Sequence, residues 1–293
     1  MTNNNNIKQD TIFLNGNFVD KSSANISVFD RGFLFADGIY EVIPVCSDKP
    51  YFIDYHLERM QNNLNTIDIK YEIDKSYWTQ VIKKLVDSNG PNRGVYIQIT
   101  RGADIENLRT HAPNENLKPT VVAFSLSPKE FGHSLTSQGI NAITHEDIRW
   151  KLCNIKSVSL LASALLSKKA HENEAFETIL IKDNYITEGT SSNLFIVKHN
   201  EIITPVLNHE ILPGITRQIL LDLALEQNLI VKYSKISLED LYNADEVWIS
   251  GQIKELLPVI KLDNKIIGSG KPGPVWKKMS TLYIERIKKS INA

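Results

Sequence analysis

Closely spaced short strands constrain the fold of this 293-residue chain more than any other feature. Residues Thr178–Thr204 alternate apolar stretches with turn residues, a pattern that predicts a meander of short strands. Helices are predicted on either side, over Leu160–Glu172 and over about Thr216–Gln227. A sheet of this kind with segregated helices is typical of an α+β fold.

The first half of the chain predicts its own set of strands and helices. A hairpin turning at Asn15-Gly16 joins two short strands, and a second is predicted to join Tyr40–Cys46 to Tyr51–Ile53. Asp54 is then predicted to cap a helix with an apolar face. The remaining elements expected here are a helix over Lys75–Asp87 and strands over Gly94–Arg101 and Thr120–Ser125.

The length of the chain suits two domains. The polar segment Ser127–Ser137, which contains a proline and a glycine, is the predicted linker. Residues 1–126 then form a small N-terminal α+β domain, 127–137 the linker, and 138–293 a larger C-terminal domain. Elements expected in the larger domain are strands at Ile140–Thr144, Leu229–Tyr233, Glu246–Ile249 and Pro258–Leu262, a short helix with a Ser237–Asp240 capping box, and a final helix over Val275–Lys289.

Charge and hydropathy argue against several classes of partner. Lys plus Arg number 33 and Asp plus Glu 34, a balance that does not favour nucleic acid or an anionic membrane. No apolar run is long enough to cross a bilayer, and the start lacks the apolar core of a signal peptide, so we expect a cytoplasmic protein. Cys46 and Cys153 are far apart and lack metal-ligand spacing, which predicts reduced thiols and no metal site.

Two segments before residue 160 could carry chemistry. The first, DRGFLFADGIYE, reads as a tight turn that feeds a strand; Arg31 and Asp37 are expected to be structural, and Tyr40 could present its hydroxyl to a pocket. The second places Lys156 just before a helix rich in alanine and leucine. That lysine is either solvated or lies on an apolar floor, where a lowered pKa would make its amine a nucleophile towards carbonyl carbons.

Two later segments could approach an anionic ligand. In TEGTSSN the small residues would let the backbone come close to a ligand and Glu188 offers a carboxylate, although a plain polar turn has the same composition. In LPGITR the start of a helix offers free N–H groups to a phosphate, although many helices begin this way without binding anything. Because no dinucleotide fingerprint or P-loop lysine motif occurs, a phosphate site here must be of another kind.

Taken in order, and with the arginine of HLERM, these motifs resemble the fold-type IV (class IV) aminotransferases over nearly the whole chain. The resemblance implies pyridoxal 5'-phosphate as cofactor, bound between a smaller N-terminal α/β domain and a larger C-terminal domain that has a β-barrel-like sheet and helices. It also implies a homodimer in which a loop of the partner subunit completes each site.

The resemblance assigns a role to each motif. Lys156 would hold the cofactor as a Schiff base and shuttle the substrate's α-proton, and Tyr40 would line the pocket beside it. Glu188 would keep the ring nitrogen of the cofactor protonated. The phosphate would be bound by Arg59, by the backbone N–H groups of Ile215 and Thr216, and by Gln252 or its neighbour.

A polar loop, Arg101–Lys118, bears on the substrate. Its Arg109-Thr110-His111 resembles the Arg-x-His with which D-amino acid aminotransferases bind the α-carboxylate, although an exposed loop tip could have the same residues. The resemblance then implies amino transfer from D-alanine or D-glutamate to 2-oxoglutarate or pyruvate. The alternatives are an L-branched-chain aminotransferase, an aminodeoxychorismate lyase, and a homologue that binds the cofactor without turnover.

Two positions depart from the family's pattern. Ala36 stands where many relatives have glycine, and Ile253-Lys254 replaces a threonine-rich run. The first change is expected to be harmless. The second is expected to alter the wall of the substrate pocket.

Overall fold

The structure is a computed structural model that describes residues 10–90, 94–126, 138–252 and 254–292. These residues divide into two compact units. One takes in the described residues of Met1–Glu130 together with Lys156–Ser159, and the other those of Phe131–Ile155 and Leu160–Ala293. The predicted linker at 127–137 lies outside the described residues.

The first unit is built on a five-stranded antiparallel sheet in the order β2-β1-β7-β6-β3. Helix α2 packs against β3, and α3 packs against β1 and β7. A separate pair of two-residue strands, β4 and β5, lies before α2. The elements are β1 (Thr11–Leu14), β2 (Asn17–Asp20), a 3-10 turn (Lys21–Ser23), α1 (Arg31–Phe35), β3 (Gly38–Ile43), β4 (Val45–Cys46), β5 (Lys49–Pro50), α2 (Ile53–Thr66), α3 (Lys75–Asn89), β6 (Val95–Thr100) and β7 (Thr120–Ser125).

The start of α2 corrects two expectations. The predicted strand at Tyr51–Ile53 is wrong, because only Lys49–Pro50 pairs with β4 and Ile53 already begins the helix. Asp54 is not the cap: Phe52 takes that position in the left-handed conformation, with φ of 56°, and its side chain makes no capping hydrogen bond. Asp54 lies in the first helical turn instead, where a carboxylate still interacts favourably with the helix dipole.

The second unit contains a nine-stranded mixed sheet in the order β10-β9-β8-β15-β14-β11-β12-β13, with β16 paired to β15. Strand β8 runs parallel to both β9 and β15. The elements are β8 (Ile140–Glu146), α4 (Leu161–Glu172), β9 (Glu177–Lys182), β10 (Tyr185–Gly189), β11 (Asn193–Lys198), β12 (Glu201–Thr204), α5 (Ile215–Glu226), β13 (Val231–Tyr233), α6 (Leu238–Tyr242), β14 (Glu246–Gly251), β15 (Glu255–Leu262), β16 (Lys265–Ile266) and α7 (Pro274–Asn292).

The predicted meander is interrupted at TEGTSSN. Strands β9 and β10 pair with each other, as do β11 and β12, but β11 has β14 as its other neighbour rather than β10. The turn at Thr190–Ser192 therefore joins two strands that are far apart in the sheet order. The motif lies where the chain passes from one part of the sheet to another.

Helices α6 and α7 agree with the sequence pattern. Ser237 and Asp240 form the predicted capping box of α6. Helix α7 buries Met279, Tyr283 and Ile287 along one face, as its apolar spacing predicts. None of the helices in the described part of the chain combines the length and apolarity needed to cross a membrane.

The conformation of Ala36 explains why glycine suits this position. Ala36 follows α1 in the left-handed region, with φ of 55°, and its N–H donates to the Gly32 carbonyl oxygen at 3.1 Å. A Cβ atom is disfavoured there, whereas glycine adopts the same φ without strain.

We expect Ala36→Gly to raise the free energy of unfolding by about 0.5 kcal/mol, measured by urea denaturation. Ala24→Gly, at φ of −78°, is the matched control and should be neutral or destabilising. A loss of stability in Ala36→Gly would contradict this account.

Candidate active site

Backbone pairing fixes Lys156 beside β3, the strand that begins within the DRGFLFADGIYE segment. The N–H of Tyr40 donates to the Lys156 carbonyl oxygen at 2.9 Å, and the N–H of Val158 donates to that of Gly38 at 3.1 Å. Residues Lys156–Ser159 thus pair alongside β3, which is the edge strand of the sheet. They belong to the first unit, although the chain before and after them belongs to the second. The lysine amine lies 4.1 Å from the centroid of the Tyr40 ring.

Tyr40 is held by an aromatic stack across the sheet. Its ring stacks on Tyr96 with centroids 5.5 Å apart, and Tyr96 stacks on Phe124 at 4.8 Å. The Tyr96 hydroxyl donates to Gln98 Oε1 at 2.8 Å. Three strands therefore fix the ring over which the Lys156 amine lies. Lys156 and Tyr40, both predicted site residues, are close together.

Arg59 is oriented by a buried carboxylate that the sequence did not single out. Glu41, fully buried on β3, accepts from Arg59 Nε at 2.7 Å and Nη2 at 3.0 Å, and pairs with His56 Nδ1 at 2.8 Å. Burial by itself would raise the pKa of Glu41, but the Arg59 guanidinium and His56 hold it well below its usual range. Burial also lowers the pKa of His56. The sequence feature that could have indicated this contact is the spacing of His56 and Arg59, three residues apart on one face of α2.

In the second unit, Glu188 is the centre of a buried polar cluster. Its Oε1 accepts from Arg149 Nη1 at 2.5 Å, and Arg149 also forms a two-pronged pair with Asp147 at 2.9 and 2.8 Å. Burial raises the pKa of the Glu188 carboxyl to about 7, against the opposing effect of Arg149. Arg149 and Asp147 were not predicted. They lie in the segment after β8, which has no motif to mark it.

The motifs TEGTSSN and LPGITR meet at Glu188. Its Oε2 accepts from Asn193 Nδ2 at 3.0 Å and from the Leu212 N–H at 3.2 Å, while Asn193 Nδ2 also donates to the Leu212 carbonyl oxygen at 2.8 Å. Gly214 lies so close that a Cβ there would be 1.9 Å from Asn193 Oδ1. The glycine therefore permits the contact that brings the start of α5 to the Glu188 cluster.

The start of α5 has the features of an anion site. Gly214 is the N-cap and has no side chain that could cap α5. The first N–H groups of an α-helix, here those of Ile215 and Thr216, have no partner within the helix and suit an anion. Helix α5 packs against β14. At the end of β14, two buried atoms, Ser250 Oγ and Gln252 Nε2, have no hydrogen-bond partner within the described residues. Ser250 pairs with Asn193, the residue that contacts Gly214, so its unpartnered hydroxyl lies on the strand next to the start of α5 and fits a bound phosphate there.

Lys254 pairs with a buried acid that also binds the TEGTSSN turn. Its amine pairs with Glu177 Oε2, and the same carboxylate accepts from Ser192 Oγ at 2.6 Å and from Thr190 Oγ1 at 2.5 Å. Burial opposes ionisation of Glu177, but Lys254 and the two hydroxyl groups lower its pKa overall. The lysine that departs from the family's pattern is thus paired with a buried acid. Ile253 lies outside the described residues.

Arg109 and His111 meet at one aromatic ring. The Arg109 guanidinium carbon lies 5.7 Å from the centroid of Phe35, and the His111 ring meets Phe35 edge-on at 5.6 Å. Both side chains are exposed. Two cationic or donor groups near one ring can engage a carboxylate together.

Comparison with known proteins identifies the family of this chain. The family profile of amino-transferase class IV matches residues 38–262. The D-alanine aminotransferase of Bacillus licheniformis is 37% identical over 271 residues, which cover 92% of this chain and 94% of that protein. The D-alanine aminotransferase of Staphylococcus aureus (strain N315) is 39% identical over 273 residues, with the same coverage of each chain.

The fold is also found among solved structures. The branched-chain amino acid aminotransferase of Escherichia coli superposes with a TM-score of 0.86, covering 95% of each chain at 24% identity. At that identity the likeness shows the α+β architecture alone. With the family profile and the sequence relatives, it leads to one conclusion: the chain belongs to the class IV aminotransferases, which are pyridoxal phosphate-dependent enzymes.

Proposed function

We propose that this enzyme transfers the amino group of a D-amino acid, such as D-alanine or D-glutamate, to a 2-oxo acid such as 2-oxoglutarate or pyruvate. The observation that carries the substrate class is the pair Arg109 and His111 on the Phe35 ring, because a guanidinium with a second donor suits an α-carboxylate. The relatives that are 37% and 39% identical, both D-alanine aminotransferases, support the same class.

The residues proposed to bind the cofactor are Arg59, which Glu41 orients, and those of the Glu188 cluster and the start of α5. When bound, pyridoxal phosphate supplies an electron sink for the negative charge that develops at the substrate's α-carbon. The N–H groups of Ile215 and Thr216, with Gln252 and Arg59, would hold its phosphate. Glu188 would lie against the ring nitrogen, since Arg149 and Asn193 fix its carboxylate in one orientation.

Lys156 has two tasks in this proposal. Its Nζ would hold the cofactor covalently in the resting enzyme, and as a free amine it would take the proton from the substrate's α-carbon and later return a proton. The Tyr40 ring, 4.1 Å from Nζ, restricts where the amine can move.

We expect Lys156→Ala to lower turnover with D-alanine by at least about 10³-fold, because general base and covalent anchor are lost together. Borohydride reduction of the wild-type holoenzyme, followed by peptide mass spectrometry, should find the cofactor on the peptide that contains Lys156. Lys151→Ala, at an exposed lysine nearby, is the control and should retain full turnover and labelling. Near-normal activity in Lys156→Ala, or labelling elsewhere, would overturn the assignment.

We expect Arg109→Ala to raise KM for D-alanine by about 10- to 100-fold, the loss of one charge-assisted contact. Arg286→Ala removes a surface arginine that pairs with Glu226 and should leave KM unchanged. Steady-state kinetics with D-alanine, D-glutamate and L-leucine give the change in KM and show whether the enzyme prefers D- or L-amino acids. Turnover of L-leucine alone would contradict the D-amino acid assignment, and an unchanged KM in Arg109→Ala would remove the loop from the site.

We also propose a homodimer in which the Arg109 loop completes the partner's site. Apolar side chains close to this loop are unusually exposed: Phe33 is 72% exposed and Ile105 is 70% exposed. Large exposed apolar side chains next to functional ones are typical of a subunit interface.

Mixed dimers test the arrangement directly. Lys156→Ala and Arg109→Ala subunits, each poorly active alone, should recover activity when unfolded together and refolded as mixed dimers. Recovery follows because one site then combines an intact Lys156 with an intact Arg109 from the other subunit. No recovery, in a preparation shown by mass spectrometry to contain mixed dimers, would mean that both residues act within one chain.

A further inference from the structure

Arg31, expected from the sequence to serve the local turn, reaches the loop that carries Arg109 and His111. Its Nη1 donates to the Thr110 carbonyl oxygen at 2.9 Å, and its Nη2 donates to the His111 carbonyl oxygen at 2.6 Å. Its Nε donates to Asp37 Oδ2 at 3.0 Å. The side chain is only 3% exposed. Every nitrogen of the guanidinium is thus engaged, two of them with the backbone of the loop.

The base from which Arg31 extends is tightly fixed. Asp30 caps α1 by accepting the Gly32 N–H at 2.8 Å, and its other oxygen accepts from Thr100 Oγ1 at 3.0 Å. A Cβ at Gly32 would lie 2.2 Å from the Thr100 side chain, so α1 and the end of β6 are in close contact. The backbone on either side of Arg31 is therefore held against the strand.

The loop tip has few other anchors. The base of the loop is bonded to the start of α1: the Arg31 N–H donates to the Gly102 carbonyl oxygen at 2.9 Å. Beyond it, the described hydrogen bonds of the tip are local, from Asn107 to Asp104 and from the Thr110 N–H to Asn107. The two bonds from Arg31 join the tip to a rigid element.

The Phe35 ring completes the contact. The Arg31 guanidinium lies 4.7 Å from its centroid, and Arg109 and His111 contact the same ring. A ring that touches both functional side chains, under a backbone held by Arg31, limits them to a common orientation.

We propose that Arg31 is a positioning residue for substrate recognition: by holding the Thr110 and His111 carbonyl groups, it presents Arg109 and His111 together to the substrate carboxylate. This inference rests on the proposed function of the loop. The planar, two-pronged geometry is essential, because the single ammonium of a lysine cannot bind both carbonyl groups and Asp37 in the same directions.

The test compares Arg31→Lys with Arg101→Lys. Arg101 is a matched control, since it also pairs with Asp37, at 2.7 and 3.0 Å, but donates to the Ile67 and Asp68 carbonyl oxygens at the end of α2. For the holoenzyme we expect Arg31→Lys to raise KM for D-alanine about 10-fold with kcat changed less than about 3-fold. Arg101→Lys should stay within about 2-fold of wild type on both.

Two further readouts separate positioning from a general loss of structure. D-Alaninamide has the same side chain without the carboxylate charge, and its rate of reaction with the holoenzyme should be the same in wild type and Arg31→Lys. Hydrogen exchange of the amides at 105–112, measured before substrate is added, should be faster in Arg31→Lys and unchanged in Arg101→Lys. Phe35→Leu, which keeps Arg31, gives a second variant and should raise KM for D-alanine in the same way.

The outcomes distinguish this inference from the proposal it rests on. If Arg109→Ala raises KM but Arg31→Lys and Phe35→Leu do not, the positioning role is wrong and the function of the loop stands. If Arg109→Ala leaves KM unchanged, the function of the loop fails and the positioning role fails with it. Equal losses with D-alanine and D-alaninamide in Arg31→Lys would mean that the arginine merely supports the fold.

Discussion

The buried carboxylate of Glu188 is the contact on which the second unit's site depends. Glu188 receives Arg149 on one oxygen and Asn193 and the Leu212 N–H on the other, and it thereby joins β10, the segment after β8 and the turn before α5. A buried carboxylate is costly unless each oxygen is satisfied. The position of the α5 N-terminus is therefore coupled to the same acid that is proposed to face the cofactor's ring nitrogen.

Buried acids paired with cations recur through the molecule. Glu41 pairs with Arg59 in the first unit, and Glu177 pairs with Lys254 in the second. Such pairs contribute little net stability, because desolvation of both partners offsets most of their attraction. What they provide is orientation, since the one geometry that satisfies every donor is strongly preferred. In both units the side chains they orient belong to, or adjoin, the motifs identified from the sequence.

Lys156 and Tyr40 of the first unit are positioned by a different means. Lys156 is placed by strand-like pairing with β3, and Tyr40 by an aromatic stack that spans three strands. The segment Asp30–Asp37, which precedes β3, links that strand to the Arg109 loop through Arg31 and Asp37. A short sheet thus fixes groups that come from three distant parts of the chain through backbone, ring and charged side-chain contacts.

The sequence by itself determined the local elements and the motifs. Apolar periodicity located α2, α3, α5 and α7, and the Asn15-Gly16 turn marked the first hairpin, because these depend on residues a few positions apart. The order of the motifs also indicated the family. Tertiary structure alone decided the Phe52 start of α2, the separation of β10 from β11, and the contacts of Glu41, Arg149 and Arg31. Each of those depends on a partner far away in the chain, and neither propensity nor spacing encodes which distant group will satisfy a buried charge.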